Sequence, residues 1–235
     1  MLKSTDLEKF QTADGSWTLK NKEKDVFYRS SYGAQQESEH VFLFGSKIHQ
    51  KPSPWRILEL GFGTGRNFLT TALYAQKNDV TLHYETVDHA PIPSEFIDGS
   101  DPFSETVKEA LNKARDQGCS VELKHNRTTL VLHPYDWQNC LLKNNYFDAV
   151  YHDPFAIAQN PTCWSTACFK WAFEALKKNG ILTTYSAAGK VRRAMAEAGF
   201  FVAVAKGAGS KREMTLASAQ SEQLSGLKIK YGPNV

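Results

Sequence analysis

The chain has 235 residues, 41% hydrophobic and 12% aromatic, with a formal charge of +3 at pH 7. That length buries a full core in one α/β domain with extensions, and no apolar run approaches the ~18–20 residues that a bilayer span requires. A charge so small is no argument for nucleic acid by itself, and the polar start of the chain lacks the apolar core of a secretory leader, which points to the cytoplasm. Cys119, Cys140, Cys163 and Cys168 form no C-x-x-C pair and stand near no histidine cluster. Reduced, mostly buried thiols are therefore expected, without zinc or a disulfide frame.

Residues 1–50 read as a polar, irregular N-terminal extension, with a turn at Asp14, Gly15 and Ser16 and short apolar pieces at Val26–Tyr28 and Val41–Phe44. Beyond Pro52 and Pro54, Ile57, Leu58 and Leu60 make a run of buried-strand type. Gly61, Gly63 and Gly65 follow, where positive φ and close backbone approach to a ligand are easily reached. From Arg66 the pattern turns helical, with Phe68, Leu69 and Leu73 on one buried face. A strand, a glycine turn and a helix N-terminus together cradle a cofactor. The spacing is G-x-G-x-G, with Arg66 in the place of the third glycine of a dinucleotide fingerprint. Glu59, just before the turn, disfavours a pyrophosphate and suits a cationic ligand such as the sulfonium and ammonium of S-adenosylmethionine. With Glu59 and Asn67 the stretch resembles motif I of the class I S-adenosylmethionine-dependent methyltransferases.

The next strand, carried by Val80, Leu82, Tyr84 and Thr86, ends at Asp88, where an acid beside the glycine loop can bind ribose hydroxyls. A helix is expected over Ser104–Gln117, with Val107, Ala110, Leu111 and Ala114 inward and Gly118 as its stop. Cys119–Leu123 and Thr128–His133 read as strand pieces, and Asp136 after them is a candidate for the adenine amino group. Phe147–Tyr151 is another strand, followed by His152, Asp153, Pro154 and Phe155. Trp164–Lys178 reads as a helix stopped at Gly180, Ile181–Tyr185 as a strand and Val191–Ala198 as a helix, before a closing hairpin of Phe200–Ala205 and Glu213–Ala217. The alternation implies a Rossmann-like α/β fold, mostly parallel with an antiparallel C-terminal hairpin. We divide the chain at 1–50, 51–220 and a C-terminal tail, 221–235.

The reactive chemistry is expected at Asp153 and Phe155. An alkyl amine is mostly protonated at neutral pH, and a carboxylate can hold its N–H groups, aim its lone pair and accept its proton. Phe155 supplies an apolar wall. Lys190, Arg192 and Arg193, with Lys211 and Arg212, form basic clusters suited to phosphate.

Five segments carry a wider resemblance: D-V-F-Y from Asp25 with G-A-Q-Q-E-S-E-H-V-F-L from Gly33, E-L-G-F-G-T-G-R-N-F-L from Glu59, D-P-F-A-I-A-Q-N-P-T-C-W from Asp153, A-A-G-K-V-R-R-A-M-A-E-A-G-F from Ala187, and S-K-R-E-M from Ser210. They resemble the methyltransferase half of the bifunctional MnmC tRNA-modification enzymes, including stand-alone MnmD versions, over roughly Thr12 to Ala217. The resemblance implies methylation of the aminomethyl group on the wobble uridine of tRNA, 5-aminomethyl(-2-thio)uridine, giving the methylaminomethyl form. It implies that Glu59, Gly61, Gly63, Gly65 and Asn67 hold the methionine part of the cofactor, with Asp88 at the second strand. It also implies that Tyr28, Gln36 and Glu37 belong to a segment closing over the pocket. The family's D-G-F-A-P or D-A-F-x-P stands here as D-P-F-A-I, and His152 takes an expected apolar position. The flavin domain that follows in the bifunctional enzymes is not part of this sequence, so neither FAD nor a metal is expected, and another enzyme must install the aminomethyl group. Alternatives on the same fold are an aminopropyl- or methyltransferase for a small-molecule amine, or a non-catalytic tRNA-binding module.

Overall fold

In β4 (Trp55–Leu60) every residue except Arg56 is buried, because both faces of this central strand are covered. The computed structural model describes residues 3–23, 25–28, 33–209 and 211–233. After β4 the chain alternates α2 (Arg66–Lys77), β5 (Leu82–Val87), α3 (Ser104–Gln117), β6 (Val121–His125), β7 (Thr128–His133), β8 (Phe147–His152), α4 (Thr166–Ala175), β9 (Leu176–Thr184) and α5 (Gly189–Glu197). It closes with β10 (Phe201–Lys206), β11 (Glu213–Ser218) and β12 (Lys228–Tyr231). The nine strands run in the order β12-β10-β11-β9-β8-β4-β5-β7-β6. The five central ones, β9, β8, β4, β5 and β7, pair in parallel, whereas β6, β11, β10 and β12 are joined antiparallel. Successive β4 residues serve opposite layers. Ile57 belongs with Phe68 of α2 and Val107 of α3, Leu58 with Phe169 of α4 and Met195 of α5. The strand order reverses at β4, between β5 and β8, which opens a crevice beyond their carboxyl ends.

The first fifty residues are more ordered than their composition suggests. β1 (Leu7–Gln11), β2 (Trp17–Asn21) and β3 (Val26–Phe27) form a separate antiparallel sheet. Only Leu7 of β1 is buried, so the alternation that announces a strand is drowned by the exposed Glu8, Lys9 and Gln11. After it, α1 (Ala34–Glu37) runs into a π-helical segment, Ser38–Phe44, which buries Val41, Phe42 and Leu43. Two further boundaries differ from expectation. α4 ends at Ala175, and β9 starts directly at Leu176, so Gly180 lies within a strand. A Cβ there would stand 2.5 Å from the Leu176 side chain and 3.0 Å from the Asp148 carbonyl, so this glycine allows close approach and stops no helix. Residues Lys228–Tyr231, beyond the hairpin, pair with β10 and extend the sheet.

Candidate active site

The glycine loop leaves β4 at Gly61 with φ +90°, and Gly63 has φ +53°, a region unfavourable to side-chain-bearing residues. A Cβ on Gly61 would lie 2.6 Å from the carbonyl oxygen of Asp153, so the loops after β4 and β8 touch backbone to backbone. A Cβ on Gly63 would lie 3.2 Å from the Tyr28 ring, which therefore rests on the loop. Asp88, immediately after β5, faces the same turn. Its Oδ2 accepts the N–H groups of Phe62 and Gly63, each at 3.0 Å, and its Oδ1 accepts that of Ala90 at 3.0 Å. Burial first, and then the Asp88 charge, push the Tyr28 hydroxyl above its ordinary pKa, so it stays protonated.

Beneath the loop lies a set of polar groups that the strand–helix junction brings together. The Asn67 side chain, on the first turn of α2, donates to Glu59 Oε1 at 2.7 Å and to Asp153 Oδ2 at 2.9 Å. Glu59 and Asn67 are both 0% exposed. They line neither cavity described below and meet the crevice through Asp153. His152 points the other way. Its ring packs against Trp164 and Phe169 with centroids 4.7 and 4.8 Å away, and Nε2 donates to the Cys163 carbonyl at 2.8 Å. Burial lowers its pKa to about 4, so a neutral ring occupies the apolar slot.

Two cavities meet at the loop after β8. The inner one, about 910 Å³ with its open mouth, is lined by Gly61, Gly63, Asp88 and Asp136. The outer one, about 750 Å³, is lined by Phe27, Glu37, Gln159, Tyr185 and Lys211. Tyr28, Asp153, Pro154 and Phe155 line both and form the wall between them. Tyr28 and Phe155 meet edge to face at 4.8 Å. The Trp164 indole N–H donates to the Phe155 carbonyl at 2.8 Å, and the Tyr185 hydroxyl donates to the Pro154 carbonyl at 2.8 Å, which fixes the wall. Asp136 also caps a helical turn, accepting the Gln138 N–H at 3.1 Å.

A family model described as S-adenosyl-L-methionine-dependent methyltransferase matches residues 100–220, which carry the acceptor-side loop after β8. The chain belongs to that family. The methyltransferase is 32% identical over 209 residues to a tRNA 5-methylaminomethyl-2-thiouridine biosynthesis bifunctional protein MnmC of Cupriavidus necator, covering 83% of this chain and 32% of the relative. It is 28% identical over 208 residues to a protein of Methanocaldococcus jannaschii, covering 88% of this chain and 58% of that one. The chain thus spans less than two thirds of the length of either relative. The crystal structure of MnmC2 from Aquifex aeolicus superposes with a TM-score of 0.76 at 26% identity, covering 97% of this chain and 72% of that one.

The basic residues of the methyltransferase do not form one patch. Arg192 is only 3% exposed, with Nε donating to Thr215 Oγ1 at 2.9 Å and a terminal nitrogen 2.9 Å from Glu213 Oε2. Its place on the inner face of α5, against β11, removes it from phosphate, which corrects its grouping with its neighbours. Lys211 is paired with Glu37 and faces the outer cavity. Lys190, Arg193 and Arg212 are exposed. Gln36 is exposed and lines neither cavity; its N–H donates to Asp14 Oδ2 at 3.3 Å. Ser210, the first residue of the S-K-R-E-M segment, lies outside the described residues. Tyr185 and Gln159 went unnoticed in the sequence. Tyr185 directly follows β9, the kind of position that singled out Asp88 and Asp153, and that rule would have found it. Among the described residues no group of three His, Cys, Asp or Glu side chains is placed to hold a metal ion, and no helix is long and apolar enough to cross a membrane.

Proposed function

We propose that this methyltransferase moves a methyl group from S-adenosylmethionine to the exocyclic amine of 5-aminomethyluridine, with oxygen or sulfur at C2, at the wobble position of tRNA, giving the 5-methylaminomethyl form. The observation that carries the reading is the place of Asp153, on the wall shared by a glycine-lined cavity and an aromatic one, with one carboxylate oxygen held by Asn67. The printed name of the Cupriavidus relative, which concerns this same modified uridine, supports the choice of acceptor.

The inner cavity fits the cofactor. Gly61 and Gly63 put no side chain into it, and the Asp88 carboxylate keeps acceptor capacity beyond its three amide partners. Gly61 and Gly63 would bed the methionine part, Asp88 the ribose and Asp136 the adenine amino group, while Gly65, which packs toward Phe62 and Val107, joins Glu59 and Asn67 in bracing the loop from below. When bound, S-adenosylmethionine supplies an electrophilic methyl group on a sulfonium. Asp153 holds the acceptor N–H groups, turns the nitrogen lone pair toward the inner cavity and takes the proton the amine loses. Phe155 and Tyr28 exclude water from that path. Lys190, Arg193 and Arg212 hold tRNA phosphate outside the cavities, which places the substrate but reads no sequence.

The test is to incubate the protein with S-adenosylmethionine and tRNA carrying 5-aminomethyl-2-thiouridine, then measure nucleosides by mass spectrometry. A gain of one methyl on that nucleoside is expected. Methylation of free alkyl amines with the tRNA left untouched would overturn the reading.

A further inference from the structure

At the outer cavity an acid and a base stand side by side. Glu37, on α1, is 4% exposed and pairs with the Lys211 ammonium from the segment before β11. Lys211 Nζ lies 5.2 Å from the Tyr185 ring centroid, which adds a cation–π hold on its position. Both residues line the outer cavity and neither lines the inner one, whereas Asp153 lines both, so the charged pair belongs to the acceptor space alone. The rings of Tyr28, Phe155 and Tyr185 line the same cavity and suit the faces of a flat base.

We propose that the Glu37–Lys211 pair reads the imide edge of the acceptor ring and selects uridine over cytidine; this rests on the function proposed above. In a uracil substituted at C5, N3–H lies two ring positions from the substituent, on the edge where the C4 carbonyl separates the two. With the aminomethyl group at Asp153, that edge meets the charged pair. A carboxylate is acceptor only and an ammonium donor only. Glu37 accepts N3–H while Lys211, with three N–H groups, keeps Glu37 and donates to the C4 carbonyl, where cytosine carries an amino group. Cytosine offers a bare N3 to Glu37, acceptor against acceptor, and loses on both counts. Sulfur at C2 leaves N3–H and the C4 carbonyl in place, so the thiolated base is read in the same way. Lys211 thereby acts on the base and not on the phosphate backbone.

The test compares kcat/KM on three synthetic anticodon stem-loops, carrying 5-aminomethyluridine, its N3-methyl form or 5-aminomethylcytidine. Wild type is expected to prefer the first by about 10²–10³-fold, since a site built around a hydrogen bond rejects a ligand that cannot make it. Glu37→Gln carries both a donor and an acceptor and can turn either to N3. It is expected to bring the uridine-to-cytidine ratio within about 10-fold. Lys211→Met, at a side chain more than a third exposed, is expected to narrow the ratio too, and cofactor affinity by calorimetry controls for folding. Two results overturn the inference: a wild type that methylates all three stem-loops alike, or a Glu37→Gln variant that loses rate with its preference intact. A wild type inactive on every stem-loop yet binding S-adenosylmethionine would overturn the acceptor reading above, and this inference with it.

Discussion

Asp153 and Gly63 separate two tasks that adjoining cavities could easily confuse. The Asp153 backbone touches Gly61, yet its carboxylate is held by Asn67 at the wall facing the acceptor. Asp153→Ala is expected to lose about 10²–10⁴-fold in kcat, the usual contribution of a positioned acid–base group, with cofactor affinity changed little. Steady-state kinetics and calorimetry on the one variant check this, and joint loss of both would move Asp153 into the cofactor site. Gly63→Val should do the opposite, abolishing cofactor binding, because it combines a positive φ with a side chain driven at Tyr28. Equal affinity for wild type and Gly63→Val would refute the loop assignment. His152 supplies a pH signature at the same scale. Its native pKa of about 4 lies below the unfolded value near 6.5, so in that interval the unfolded chain binds the extra proton. Stability is full above pH 6.5 and is lost as pH falls toward 4, by about 2 kcal/mol between pH 7.5 and 5. Denaturant melts of His152→Phe should show a lower ceiling, since the Cys163 carbonyl loses its donor, and a flatter slope over that interval. An unchanged slope would mean another group titrates.

At the scale of elements, the sequence reads well wherever one stretch carries its own signal. The glycine turn after β4, the acid after β5 and D-P-F after β8 are each local, and each falls at the crevice. Five residues of the outer cavity, Tyr28, Glu37, Asp153, Phe155 and Lys211, were singled out in the sequence, but the Glu37–Lys211 pairing was illegible because the two are separated by 174 positions. No periodicity brings them together; only the packing of α1 beside the segment before β11 does. The N-terminal sheet escaped for a different reason: β1 buries only Leu7, and β2 buries Thr18, Leu19 and Asn21, so neither strand shows the period-2 alternation. Helix α5 shows how proximity in sequence misleads. Arg192 and Arg193 are adjacent, but a 100° step along the helix buries one and exposes the other. Arg192→Ala should therefore cost about 2–3 kcal/mol in stability, the range for a lost charged hydrogen bond that strands its partner. Arg193→Ala should leave stability unchanged and flatten the log–log salt dependence of tRNA affinity by about 0.7–0.9. Thermal denaturation and a salt titration separate them, and a salt-slope change confined to Arg192→Ala would reverse the assignment.

Across the whole molecule, the two cavities share a wall because the strand order reverses at β4, so cofactor and acceptor loops leave neighbouring strands and meet. The antiparallel additions lie farther out and end at β6 and β12, whose outer edges have no strand partner among the described residues. Such edges are templates on which another copy's strand can add. Here β12 alternates exposed Lys228 and Lys230 with half-buried Ile229 and Tyr231, and β6 exposes Glu122 and Lys124. Bringing two β12 edges together would line up lysines of like charge beside backbone that water already satisfies. The sheet that builds the active site thus also carries its own defence against fibril growth. Light scattering on Lys228→Val/Lys230→Val should reveal faster aggregation than wild type at equal thermal stability; equal rates would mean that these lysines do not guard the edge.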